Sequence, residues 1–149
     1  CQCLPFENAN FGGVRDGLLV LVSGSVPYFC QRFQINFQVG SWWKRETDVA
    51  FHFNPRFDQH CVVFNSFEGG KWQHEEKSDD LPFHKGEAFE IRFLVSVNGK
   101  HFGEFKHRIP MSQVDTLGIS GDVEVTSITF QGSVVSCKVL IASILKHEW

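Results

Sequence analysis

Along this chain apolar residues either alternate with polar ones or gather in short β-branched and aromatic runs, and Gly, Asn, Asp and Pro separate the runs. They fall at Leu18–Val22, Phe33–Val39, Val49–Phe53, Val62–Phe64, Phe89–Val97 and Val123–Phe130. A period of two sends successive side chains to opposite faces of an extended strand, and branched and aromatic side chains suit such a half-buried surface. No run shows a helical period before the C-terminus. Many short strands, each with one polar and one apolar face, bury their apolar faces by pairing two sheets, so the pattern predicts an all-β, two-sheet antiparallel β-sandwich. Gly69-Gly70 marks one turn, and Asn98-Gly99 between VSV and KHF marks a two-residue hairpin. The 149 residues suffice for one domain with a full core and are too few for two ordinary ones.

The stretch from Phe51 to Lys77, FHFNPRFDQHCVVFNSFEGGKWQHEEK, carries the candidate chemistry. In a strand His52, Asn54 and Arg56 project from one side, and Phe51, Phe53, Pro55 and Phe57 from the other. If Val63 and Asn65 share the polar face in the next run, Val62 and Phe64 point into a core. Trp72 follows the Gly69-Gly70 turn, with Glu75 and Lys77 close behind. A lone strand histidine is ordinarily structural; the spacing of these groups is what marks a site. Imidazole, two amides, a guanidinium, a carboxylate and one indole together offer donors and acceptors to match the hydroxyls of a carbohydrate. A contact between Glu75 and Arg56 would hold the guanidinium still before ligand arrives. Trp72 supplies an apolar plate, and galactose, with its axial O4, presents a continuous C–H face to lie on it.

The run H-x-N-x-R, then V-x-N, then W-x-x-E-x-(R/K) resembles the signature of the galectins, a family of β-galactoside-binding lectins. The likeness extends to PFENANFGGVRDGLLVLVSGSV, RFQINFQVG, DVAFHFNPRF, LPFHKGEAFEIRF, VNGKHFGEFKHRIP and VDTLGISGDVEVTSITF, in galectin order, across Leu4 to Phe130. It implies a jelly-roll sandwich forming one carbohydrate-recognition domain over residues 4–130, followed by an atypical tail, 131–149. It also implies roles: His52, Asn54 and Arg56 on the axial galactose hydroxyl, Asn65 and Glu75 on the 6-hydroxyl, Trp72 stacked on the ring and Val63 packed beside them. Lys77 stands where most members have Arg, at the position that works with Glu75 on the second sugar; the charge is kept and the planar fork is lost. The expected ligands are β-galactosides of the lactose or N-acetyllactosamine type on glycoproteins and glycolipids, bound without metal or other cofactor. Synthesis in the cytoplasm, with export lacking a signal peptide, is a further expectation of the resemblance.

Charge and cysteine content narrow the alternatives. A net charge of −3, from 14 basic and 17 acidic residues well interspersed, gives no electrostatic footprint for nucleic acid or an anionic membrane. Five cysteines, at 1, 3, 30, 61 and 137, are too few and too irregular for a disulfide framework, and free thiols are expected. Cys61 is expected as a small core or edge residue. No charged segment followed by an apolar one opens the chain, and the first residue is Cys rather than Met, which leaves the true N-terminus open. The histidines lack metal-ligand spacing with a second soft ligand. Glu75-Glu76 face opposite ways in a strand and so do not form a general acid–base pair; His60-Cys61 fails as a dyad on the same ground. A glycosidase using Glu75 is therefore a weak reading, and a non-enzymatic lectin is expected. Pro55 is read as an edge or bulge residue beside the site. Trp42-Trp43 is read as two half-buried rings in a loop rather than a contact for a longer glycan.

Two segments depart from the family pattern. FEIRFLVSV, Phe89 to Val97, runs without the interruption seen in galectins, so part of a hairpin in the sheet behind the sugar face is missing and an edge is exposed or shortened. The tail contains VVSCKVLIASIL, too short to span a membrane. A strand or helix patching the incomplete sheet, an interaction segment and a disordered remnant all stay open for it. These departures motivate the alternative function: a galectin-like protein with weak or lost sugar binding that acts through protein–protein contacts. The oligomeric state, a homodimer included, is open at this level.

Overall fold

The computed structural model describes residues 5–8, 17–41, 47–94, 105, 108–132 and 141–142. Among these residues eleven strands run in chain order: β1 (Phe6–Asn8), β2 (Leu19–Ser25), β3 (Phe33–Val39), β4 (Asp48–Arg56), β5 (Cys61–Glu68), β6 (Lys71–Trp72), β7 (Glu76–Ser78), β8 (Ala88–Leu94), β9 (Thr116–Gly121), β10 (Glu124–Gln131) and β11 (Ile141–Ala142). One 3₁₀ turn, Met111–Gln113, precedes β9. The larger sheet has the order β1-β9-β3-β4-β5-β6, with β7 also on β5; the smaller has the order β10-β2-β8-β11. All the pairings are antiparallel, as the sequence pattern predicts.

The alternation in each strand decides which face is buried. In β3, Phe33, Ile35 and Phe37 point inward; β4 contributes Phe51 and Phe53, β5 Val62 and Phe64, and β9 Leu117 and Ile119. From the other sheet come Val20 and Val22 of β2, Phe89, Ile91 and Phe93 of β8, and Val125 of β10. Rings interlock across the interface: Phe53 meets Phe93 at 5.4 Å and 84°, and Phe37 meets Phe93 at 5.3 Å and 70°, edge-to-face arrangements that aromatic quadrupoles favour. Each such buried side chain contributes roughly 1.5–3 kcal/mol relative to exposure. That burial is what fixes the register, because a one-residue slip would send every ring to water.

Several expectations need adjustment. Strand β9 does not stand out in the sequence, since Gly118 and Gly121 interrupt its apolar pattern. Pro55 lies near the end of β4, which sits between β3 and β5, and is not in an edge strand. The irregularity of β4 falls instead between Val49 and His52, where three residues span two of the partner. In the β3–β4 register Pro55 faces Phe33; it has no N–H to offer, and the Phe33 carbonyl accepts from the Asn54 side chain at 2.7 Å. Gly69 and Gly70 form the anticipated turn between β5 and β6, with φ of 59° and 79° as a type I′ hairpin requires.

Cys30 and Cys61 are buried free thiols. The residues after Leu94 in the long apolar run, the Asn98-Gly99 hairpin, Trp42-Trp43, Cys1, Cys3 and Cys137 lie outside the described residues. Within the tail, Ile141 and Ala142 pair with Phe93 and Arg92 on the outer edge of β8, so at these two residues the tail extends the smaller sheet. Among the described residues no helix is long and apolar enough to cross a membrane.

Gly121 tests the frame that carries the site. Its φ is +96°, and a Cβ there would come within 2.7 Å of the Phe33 Cα and 2.8 Å of the Arg32 carbonyl oxygen. Gly121→Ala is expected to cost about 1–3 kcal/mol, read as a lower urea midpoint at unchanged m-value. Gly69→Asn, at a turn where nothing lies within 4 Å of a Cβ, should stay within about 0.5 kcal/mol of wild type.

Candidate functional site

The face of the larger sheet turned away from the core is polar, and strand register sets its rows. His52 of β4 lies between Asn36 of β3 and Asn65 of β5. One step along, Asn54 is opposite Val63, and Val63 is opposite Lys77 of β7. Arg56 is opposite Cys61. Trp72 sits on β6, opposite Phe67, and its ring contacts His52 at 4.6 Å between centroids and Phe67 at 5.1 Å. The indole remains 48% exposed, in keeping with a plate held from one side and open on the other. The structure thus brings His52, Asn54, Arg56, Val63, Asn65, Trp72, Glu75 and Lys77 to one outer face of the larger sheet.

Several donors and acceptors are already engaged before any ligand binds. Arg56 Nε donates to Asn54 Oδ1 at 2.7 Å, Nη1 to Gln59 Oε1 at 3.1 Å and Nη2 to Glu75 Oε1 at 3.3 Å. The anticipated Glu75–Arg56 contact is present. A guanidinium has five N–H groups, so with three in use two remain. Lys77 Nζ lies 3.7 Å from the other Glu75 oxygen, an exposed pair of small energetic weight. Glu76, the first residue of β7, points toward Arg108 at 3.4 Å, while Glu75, just before the strand, points toward Arg56 and Lys77.

His52 is buried, and its Nδ1 is 2.6 Å from Asn36 Oδ1. With an amide oxygen as its neighbour, Nδ1 carries the proton, which leaves Nε2 an acceptor. Loss of hydration on burial, followed by the nearby positive charge of Arg56, pushes the imidazole down from 6.5 to about 4, against the opposing effects of Asn54 and Glu75. At neutral pH the ring is therefore uncharged. Asn65 is engaged as well: its Oδ1 accepts from the Ser66 backbone N–H at 2.8 Å and from Arg108 Nη1 at 3.1 Å, and its Nδ2 donates to the Gln73 carbonyl at 3.2 Å.

Asn36, Gln59 and Arg108 are residues that sequence reasoning missed. Asn36 was legible in part, since INF places it on the polar face of β3. For Arg108, within HRIP, nothing local signals a partner more than 30 residues away. Among the described residues no group of three or more His, Cys, Asp or Glu side chains is arranged to hold a metal ion.

The family model for galactoside-binding lectins matches residues 5–130. This chain belongs to the galectins. Human galectin-12 is 43% identical over 136 residues, covering 85% of this chain and 40% of that protein. Bovine galectin-4 is 45% identical over 137 residues, covering 87% of this chain and 41% of that protein. The chain thus spans about two fifths of the length of the curated relatives it matches. Among solved structures, a variant of human galectin-16 superposes with a TM-score of 0.76 at 27% identity, covering 89% of this chain and 98% of that one. Sheep galectin-11, solved in complex with glycerol, gives 0.75 at 25% identity, covering 88% and 100%. Galectins are carbohydrate-binding lectins and not enzymes, which disposes of the glycosidase reading.

The depressed basicity of His52 has a consequence for this galectin's stability. Its folded-state pKa of about 4 lies below the ordinary 6.5. Between those values the unfolded chain binds a proton that the folded chain does not, so stability is full above about pH 6.5 and falls as pH drops toward 4. Chemical unfolding measured across this window should show a shallower slope for His52→Gln than for wild type. Parallel slopes would contradict a buried neutral imidazole.

Proposed function

We propose that the outer face of the larger sheet binds β-galactosides of the lactose and N-acetyllactosamine type, carried on glycoproteins or glycolipids. The observation that supports this most directly is the convergence of a neutral acceptor nitrogen on His52, the free N–H groups of Arg56 and the exposed indole of Trp72. An axial hydroxyl can give its proton to His52 Nε2 and accept from Arg56, so one oxygen tests both groups. Its equatorial epimer would leave these groups without a partner, and unpaired buried groups are what make polar discrimination strong. The C–H face of the same ring lies on Trp72. Asn65 and Glu75 address the 6-hydroxyl, Val63 packs beside the ring, and Asn54 orients Arg56.

Glu75 joins the two halves of the site, since its carboxylate reaches both Arg56 and Lys77. Lys77 would then act on the second sugar as a single flexible charge rather than a planar fork, and discrimination at that sugar rests on it.

At roughly 0.3 kcal/mol per non-hydrogen atom, a disaccharide of about 23 such atoms gains about 7 kcal/mol, a dissociation constant near ten micromolar at best. The protein should be retained on lactose-Sepharose in the presence of a chelator and released by free lactose; failure of a folded sample to bind would favour action through protein contacts. Arg56→Ala removes charged hydrogen bonds worth about 1.5–3 kcal/mol, so retention should disappear while far-ultraviolet circular dichroism is unchanged. Lys77→Arg should alter the ratio of affinities for lactose and N-acetyllactosamine, measured by calorimetry. An unchanged ratio would remove Lys77 from the second-sugar role.

A further inference from the structure

The outer edge of β5 is interrupted beside the site. Strand β6 pairs with Phe67 and Glu68, and β7 with Val62 to Phe64. At Asn65 and Ser66 between them, the connecting residues Gln73 to Glu75 belong to no strand, and one backbone bond, Gln73 N–H to the Ser66 carbonyl at 3.0 Å, crosses the gap. The Arg108 guanidinium fills it. Nη1 donates to Asn65 Oδ1 and Ser66 Oγ, both at 3.1 Å, and Nη2 donates to the His74 carbonyl at 2.6 Å and Glu76 Oε1 at 3.4 Å. Its carbon lies 5.1 Å from the centre of the Phe105 ring, a core residue. Ser66 and Glu76 alternate with Asn65 and Lys77, so they belong to the core side of the sheet. Arg108 therefore reaches Asn65 from beneath, without occupying the sugar face.

We infer that Arg108 is a positioning residue that makes Asn65 a donor-only group toward ligand, an inference that rests on the proposed galactoside reading. With Ser66 N–H and Arg108 on Oδ1, both lone pairs of that oxygen are engaged, and one Nδ2 proton is given to Gln73. A single N–H is left to face outward, and it requires an acceptor oxygen on the sugar. Without Arg108 the oxygen keeps only the Ser66 N–H, so the amide is held less firmly, its outward N–H is less well aimed at the sugar oxygen, and the preference for a 6-hydroxyl weakens. An arginine suits this task because its planar fork serves four acceptors at once, which an ammonium does not.

The test compares methyl β-lactoside with its 6′-deoxy analogue. Arg108→Ala should weaken lactoside binding about fivefold, the worth of one neutral hydrogen bond, and leave the 6′-deoxy analogue nearly unaffected. In a double-mutant cycle, adding Arg108→Ala to Asn65→Ala should cause no further loss. Equal weakening of both ligands, a retained preference for the 6-hydroxyl, or additive losses would overturn the inference. Should Arg108→Ala not fold, Arg108→Lys serves: it reaches fewer acceptors, and an intermediate preference is expected, an unchanged one being contrary. The side-chain amide resonances of Asn65 in ligand-free protein give an independent readout. They should be dispersed and slow to exchange in wild type and move toward free-amide values in Arg108→Lys; immobility of these signals would count against positioning. If wild type binds no lactoside at all, the galactoside reading fails, while the amide resonances still report on Arg108.

Discussion

Burial of Phe51 and Phe53 against Phe64, Phe83, Phe93 and Phe105 is the contact on which the polar face depends, because in a strand it also dictates where His52, Asn54 and Arg56 point. The apolar side is secured by many ring contacts, none of them strong alone. The polar side inherits its orientation without needing interactions of its own to set it. What the polar groups then do is trim the last degrees of freedom: Asn36 fixes the ring state of His52, Asn54 holds Nε of Arg56, and Glu75 steadies one of its terminal nitrogens. A ligand meeting this face pays little for ordering the protein.

The polar layer is unusual in its burial. His52, Asn54, Asn65 and Asn36 sit on the outer side of the sheet yet are nearly closed to water. Burial of such groups is tolerable only because each has a partner. The partners are of two kinds. Backbone groups such as the Phe33 carbonyl and the Ser66 N–H fix the amides, and neighbouring side chains fix the charged and aromatic members. The neutral form of His52 is favoured chiefly because burial strips hydration from a charged ring, with the nearby Arg56 guanidinium acting in the same direction, while the Asn36 oxygen holds the Nδ1 proton.

Much of this was legible in the chain itself. The alternation FHFNPR is enough to separate Phe51 and Phe53 from His52, Asn54 and Arg56, and Gly69-Gly70 is enough to place a tight turn before Trp72. Those readings rest on local chemistry, which a sequence displays directly. The β9 strand is hidden by glycines whose lack of a side chain serves packing: at Gly118 a Cβ would collide with the Gln38 side chain. Pro55 misleads because its missing N–H suggests an edge, whereas a side-chain amide supplies the donor within the sheet. Arg108 is illegible for a different reason. Its four acceptors lie on Asn65, Ser66, His74 and Glu76, and only the folded chain brings them within reach of one planar group.

The divided outer edge of β5 has a mechanical consequence. Trp72 hangs from the upper part of that strand through the glycine turn, and Lys77 hangs from the lower part through a separate ladder. The stacking plate and the cation are thus mounted on independent brackets, joined by a three-residue span. On the proposed galactoside reading, a change in one mount can retune the contact with a distal sugar while the other keeps its hold on the first, so a single scaffold can vary its reach without altering its primary grip.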